Sequence, residues 1–244
     1  MPDTAHVLQA TDLSKSYRGK KAVSDLSLYV NTGEIIGLLG PNGAGKTTTF
    51  YMIVGMIKPD KGVITLDHED IGRLPMYKRA LKGISYLPQE PSIFRKLTVR
   101  DNLRAILEIK AYPSSEIDDR VAELLEEFSL TGFADRQSYR LSGGERRRTE
   151  IARTIATNPT FILFDEPFAG IDPIAIIELK RMLQYLRDKG LGILVTDHNV
   201  RDTLSITDRA YIISNGGLLD EGVPEKLVAN PRVKEIYLGE EFTL

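Results

Sequence analysis

The stretch Gly40-Pro41-Asn42-Gly43-Ala44-Gly45-Lys46-Thr47-Thr48 constrains this chain more than any other. It satisfies G-x-x-x-x-G-K-[ST], the P-loop pattern, in which glycines let backbone N–H groups turn inward on a phosphate. Ile35-Ile36-Gly37-Leu38-Leu39 before it is a short apolar run suited to a buried parallel strand, and Thr47 to Val54 after it can begin a helix. The helix N-terminus adds partial positive charge where the phosphate would sit. The pattern predicts a nucleotide cradle built from Asn42, Gly43, Ala44, Gly45, Lys46, Thr47 and Thr48. In it Lys46 would reach the β- and γ-phosphates, and the Thr47 hydroxyl would ligate Mg²⁺.

At 244 residues the chain has room for one large α/β domain or a core with an inserted subdomain. Its net charge of -2 argues against a protein that holds nucleic acid by neutralising phosphates. With no cysteine, disulfide and thiolate chemistry are excluded. Met1 to Asp12 lacks the apolar segment of a secretory signal, and no 18 apolar residues run together. A membrane role is therefore expected only through a partner.

Val7 to Tyr17 and Ala22 to Val30 alternate as half-buried strands do, and Val63 to Leu66 follows the turn at Lys58–Gly62. These predict an antiparallel layer beside the main sheet. His68-Glu69-Asp70 reads as a solvated turn. Gly83 to Leu87 reads as a buried strand ending at Pro88-Gln89-Glu90. From Thr98 the texture is helical, with capping-box pairs expected at Thr98/Asp101 and Ser115/Asp118. Phe161–Phe164 and Ile193–Thr196 read as strands buried on both faces, joined by a helix from about Pro173 to Lys189. Asn215-Gly216 predicts a hairpin, followed by a short helix at Pro224–Ala229 and a polar tail. The division expected is a catalytic core at 1–89 and 159–244 with a helical insert at 90–158.

Two further strings carry chemistry. Apolar strand residues leading to Asp165-Glu166 match a Walker B arrangement. Asp165 would hold Mg²⁺, and Glu166 would orient or deprotonate an attacking water. Leu141-Ser142-Gly143-Gly144-Glu145 enters a helix and makes a second anion-binding N-terminus about a hundred residues from the first. Arg146-Arg147-Arg148 after it reads as a solvated or partner-facing helix surface, since successive helix residues diverge and no aromatic residues interleave.

With these motifs in this order from Tyr17 to His198, the chain resembles ATP-binding-cassette (ABC) ATPase subunits. The resemblance implies a RecA-like P-loop core with an antiparallel β layer and an inserted helical signature subdomain. It implies ATP and Mg²⁺ as ligands, Tyr17 stacked on adenine, and Gln89 sensing the metal and the water. Asp172 falls at the D-loop, and His198 would contact the γ-phosphate. It also implies a homodimer, with Ser142, Gly143 and Gly144 of one copy closing on ATP held by the other.

The strings Tyr86–Arg95, Ser142–Arg148, Thr196–Val200 and Tyr237–Phe242 are similar to the lipopolysaccharide-export branch of that family. This implies two membrane subunits docked in a groove near Phe94 and Arg95, a cytoplasmic place on the face of the inner membrane, and no nucleic-acid partner. A branched-chain amino-acid importer ATPase shares most core motifs. A soluble ABC protein acting on ribosomes or DNA usually carries two cassettes or a long inserted arm, and this chain has neither.

Overall fold

The computed structural model describes residues 5–243. Two long strands open it, β1 (Val7–Tyr17) and β2 (Lys20–Asn31), followed by the short buried β3 (Ile35–Leu39). The P-loop leads into α1 (Lys46–Val54), then β4 (Lys61–Leu66), β5 (Glu69–Asp70), α2 (Met76–Leu81) and β6 (Ile84–Leu87). A helical stretch follows, with α3 (Val99–Ile109), α4 (Ile117–Glu127) and α5 (Gly143–Ile155). The chain then returns through β7 (Phe161–Asp165), α6 (Pro173–Asp188), β8 (Gly192–Thr196) and α7 (Val200–Leu204). The hairpin β9 (Arg209–Ser214) and β10 (Gly217–Gly222) and helix α8 (Pro224–Ala229) precede the tail.

The strands form two sheets. One has the order β2-β1-β4-β5 and is antiparallel. The other has the order β10-β9-β3-β8-β7-β6, parallel from β9 to β6 with β10 antiparallel at its edge. Every residue of β3, β7 and β8 is buried, which is why these segments read as unbroken apolar runs rather than alternating ones. This is the α/β architecture with an antiparallel layer and a helical insert that the sequence predicts. Residues of α3, α4 and α5 share one apolar cluster with Ile35, Ile162, Phe164 and Val195 of the parallel sheet. No helix among the described residues is long and apolar enough to cross a membrane.

Three local expectations change. The Ser115/Asp118 capping box does not form, because the Glu116 N–H closes a turn on the Pro113 carbonyl and α4 starts only at Ile117 with Glu116 as its cap. Glu69 and Asp70 make a two-residue strand against β4 rather than a free turn, with Glu69 paired to Lys82 and Asp70 accepting from the Gly72 N–H. The tail is not merely polar. Val233, Tyr237, Leu238 and Phe242 pack on Leu39, Leu204 and Ile212 beside the P-loop strand.

Candidate nucleotide site

The P-loop leaves the carboxyl end of β3, in the middle of the parallel sheet, where open α/β sheets gather their ligands. Its backbone is pressed between two other elements. A Cβ on Gly40 (φ +153°) would lie 2.1 Å from the Ile213 carbonyl oxygen, and one on Gly45 (φ +106°) 2.6 Å from that of Ala22. Helix α1 begins at Lys46 with Gly45 as its cap and no side chain satisfying its first N–H groups. These donors are what an anion would claim. Lys46 Nζ donates to the Gly40 and Pro41 carbonyls at 2.6 and 3.1 Å. Burial lowers its pKa, and the nearby Glu166 and Asp165 carboxylates oppose that shift.

Two clefts meet here. The larger, about 550 Å³, is lined by Tyr17, Lys20, Lys21, Ala22, Asn42, Gly43, Gly45, Lys46, Thr47, Thr48, Glu166 and His198. Ala44 is buried beneath it, its carbonyl accepting from the Gly216 N–H. The second, about 490 Å³, is lined by Thr47, Tyr51, Met56, Met76, Tyr86, Pro88, Gln89, Glu90, Ser92, Arg153, Asp165 and Glu166. Thr47 and Glu166 face both, so they mark the junction. The structure thus brings Tyr17, Lys46, Thr47, Glu166 and His198 together and sets Gln89 and Asp165 in the adjoining space.

The acidic side of the junction is ordered by neighbours. Asp165 ends β7 and accepts a 3.0 Å hydrogen bond at Oδ2 from the Tyr86 hydroxyl, while burial raises its pKa. Glu166 follows in the left-handed region (φ +47°), and its N–H donates to the Thr196 carbonyl at 2.7 Å. This unusual backbone turns the side chain out of the strand line, where His198 Nε2 meets its Oε1. Asp197, also buried with a raised pKa, accepts from the Phe168 and Asn199 N–H groups and so ties the segments after β7 and β8 together. Thr47 hydroxyl, Asp165 carboxylate and Gln89 amide are hard oxygen donors, the kind that Mg²⁺ takes with water and phosphate oxygens.

Ser142 caps α5 through a reciprocal box, its Oγ accepting from Glu145 N–H and Glu145 Oε2 accepting from Ser142 N–H. Gly143 and Gly144 therefore stand in the first turn of α5. Neither Ser142 nor Gly144 lines the two large clefts. Asp172 caps α6, accepting from the Ile174 and Ala175 N–H groups. Phe94 is 43% exposed, with the Arg153 guanidinium 5.0 Å over its ring. Arg95 holds the chain through its carbonyl, which accepts from the Tyr139 N–H.

The arginine triplet is not a uniform solvated surface. Arg147 is 8% exposed and donates to the Pro88 carbonyl, while Arg148 pairs with Glu178. Three residues of this region went unread in the sequence. Tyr86 sits among apolar strand residues, and only its hydroxyl hints at a polar partner. Glu150 is buried inside the helix after the signature string. Tyr237 lies in the tail packed beside the P-loop strand, and burial pushes its pKa up to about 12. The helical spacing of Val233 and Tyr237 was the available signal for that packing.

Comparison with known proteins gives a consistent picture. The family model described as ABC transporter matches residues 23–169. The lipopolysaccharide export system ATP-binding protein LptB of Escherichia coli (strain K12) is 56% identical over 238 residues, covering 97% of this chain and 99% of that one. Its Haemophilus influenzae counterpart is 55% identical over 239 residues, covering 98% and 99%. Among solved structures, MJ1267, an ATP-binding cassette of an ABC transporter in its ADP conformation, superposes with a TM-score of 0.86. It is 30% identical, over 97% of this chain and all of that one. The dimeric ATP-binding cassette MJ0796 bound to ADP and Pi matches with a TM-score of 0.77 at 25% identity, over 89% and 98%.

Proposed function

The chain belongs to the ABC transporter family as an ATP-hydrolysing subunit, and from that membership we propose that it drives lipopolysaccharide out of the inner membrane toward the outer membrane. It works as a homodimer on the cytoplasmic face, beneath two membrane subunits whose docking groove includes Phe94 and Arg95. Identity of 56% with a lipopolysaccharide-export subunit along nearly the whole chain favours this cargo over a branched-chain amino acid.

One observation carries the dimer: Lys46, Thr47, Glu166 and His198 share a cleft that Ser142 and Gly144 do not line. A phosphate seated on the P-loop is open on the side where a second copy would bring its own α5 N-terminus. Two ATP molecules would then be enclosed, each between one P-loop and the other copy's Ser142, Gly143 and Gly144.

Within each site Tyr17 stacks on the base, a contact that tolerates its half-exposed position. The N–H groups of residues 43–48 and Lys46 hold the phosphates. Thr47, Asp165 and Gln89 would hold Mg²⁺, which neutralises charge building on the transferring phosphoryl group. Glu166 accepts a proton from, or orients, the attacking water, and His198 steadies the γ-phosphate.

The experiment is affinity capture of the tagged chain from detergent-solubilised membranes, with co-purifying proteins identified by mass spectrometry. Recovery of two different membrane proteins together with lipopolysaccharide supports the assignment. Recovery of an amino-acid permease pair would overturn it. Phe94→Ala should weaken that capture while leaving ATP binding in place.

A further inference from the structure

Helix α5 carries the signature residues at its N-terminus, yet its body grips a different part of the site. Arg147, Glu150 and Arg153 recur every third residue and form one stripe facing the segment after β6. Arg147 Nη1 donates to the Pro88 carbonyl at 3.0 Å. Glu150 Oε1 accepts from the Ser92 N–H at 2.7 Å, and its Oε2 faces Arg147 Nη1 at 3.5 Å. Arg153 Nη2 donates to Ser92 Oγ at 2.7 Å. The stripe therefore holds the backbone on both sides of Gln89.

Glu150 is the centre of this arrangement and is only 2% exposed. A carboxylate buried to that degree is costly unless paired and hydrogen-bonded, and both its oxygens are engaged. A bond between an ionised acceptor and a backbone N–H is also among the stronger hydrogen bonds. At the far end of the segment the buried Asn102 side chain clasps Phe94, accepting from its N–H and donating to its carbonyl. The loop is pinned by α5 near Gln89 and by α3 at Phe94.

We infer that Glu150 is a positioning residue that locks the Pro88–Phe94 loop to α5, so that Gln89 and the signature end of the helix move as one body. A shift of the loop imposed at Phe94 would then reach Ser142 through a rigid helix rather than through a flexible connection. The catalytic consequence rests on the role proposed for Gln89, whereas the clamp itself does not.

The test compares Glu150→Ala and Glu150→Gln in the full chain. Hydrogen–deuterium exchange is followed in the segment 88–94, in the P-loop and in β7, alongside kcat and KM for ATP. Glu150→Ala should speed exchange in the segment by about tenfold while the P-loop and β7 keep theirs. It should lower kcat about tenfold with KM for ATP changed by less than about twofold, since the P-loop is untouched. Glu150→Gln, whose amide oxygen can still accept from Ser92 N–H, should restore most of both.

Unchanged exchange in the segment, or faster exchange spread evenly over the chain, overturns the clamp. Faster exchange with unchanged kcat overturns its part in hydrolysis, and that failure belongs to the reading of Gln89. Should Glu150→Ala not fold because it strands the Arg147 charge, Arg147→Met combined with Glu150→Leu removes both buried charges and takes the same measurements with the same expectations.

Discussion

His198 Nε2 lies 2.6 Å from Glu166 Oε1, a half-exposed imidazole closing over a nearly buried carboxylate. The contact engages one of the two carboxylate oxygens that Glu166 would offer a water. In the proposed reaction Glu166 would hold the attacking water and His198 would turn toward the γ-phosphate. We predict that Glu166→Gln lowers kcat by at least about a hundredfold while leaving ATP affinity within severalfold and ATP-bound dimers stable. Steady-state turnover and size-exclusion chromatography with ATP check this. Near-normal turnover in Glu166→Gln would remove Glu166 from the chemistry.

In the proposed site Asp165 would trade stability for metal binding. Burial raises its pKa, so its ionised form destabilises the metal-free fold. The sign follows from linkage: the penalty is full above the folded pKa and absent below the ordinary carboxylate value. Asp165→Asn keeps an oxygen for the Tyr86 hydroxyl and removes the charge. It should therefore melt higher than the parent at neutral pH without Mg²⁺, by about 2–4 °C per kcal/mol gained in a chain of this size. The gap should close as pH falls below about 4. With Mg²⁺ and ATP present the order should reverse. A lower melting temperature for the apo variant at pH 7 would refute the argument.

How much of this could be read from residues alone depends on how local the cause is. The P-loop strand and helix and the Asn215-Gly216 hairpin are fixed by side chains within a few positions and form as the sequence predicts. Of the Thr98/Asp101 box, the Thr98 cap forms, while Asp101 accepts from the Thr98 hydroxyl instead of its N–H. The Thr98/Asp101 and Ser115/Asp118 pairs look alike in sequence, yet only Thr98 caps. Pro113 and the turn it starts take up Glu116, which no pairwise spacing reveals. Glu150 and Arg147 were illegible for another reason. A charged residue on a helix defaults to solvent, and only the return of the 88–94 loop across α5 turns that face inward. Tyr86 meets Asp165 across neighbouring strands, a contact set by sheet order rather than by anything adjacent to it.

Ser142 has an N-cap role and a phosphate contact proposed for it, and the two can be separated. As the N-cap of α5 it contributes about 0.5–2 kcal/mol, which Ser142→Ala should forfeit as a lower melting temperature in the isolated chain. Aspartate caps as well as serine does and suits the positive end of the helix. Ser142→Asp should therefore keep the melting temperature. It should nonetheless lose ATP-driven dimerisation, because its carboxylate would confront the γ-phosphate bound by the other copy. Scanning fluorimetry and light scattering at saturating ATP give the two readouts. Normal dimerisation of Ser142→Asp would show that no phosphate approaches this helix end.

Two glycines of one loop should lose very different amounts of stability when replaced by alanine. Gly43 (φ +77°) has no atom within 4 Å of where a Cβ would go and lines the larger cleft. Gly43→Ala thus meets only the left-handed backbone cost, about 1–2 kcal/mol, and places its methyl in the cleft proposed to take the nucleotide. It should fold, melt a few degrees lower and bind a fluorescent ATP analogue more weakly. At Gly40 the new methyl would stand 2.1 Å from the Ile213 carbonyl oxygen, just beyond the Leu39↔Ile212 pairing of β3 with β9. Neither backbone can yield without parting those strands at the centre of the sheet. Gly40→Ala should lose more than about 4 kcal/mol, a loss reserved for such collisions, and accumulate as insoluble protein. A well-folded Gly40→Ala with parental melting behaviour would mean that the loop does not press on β9 as described.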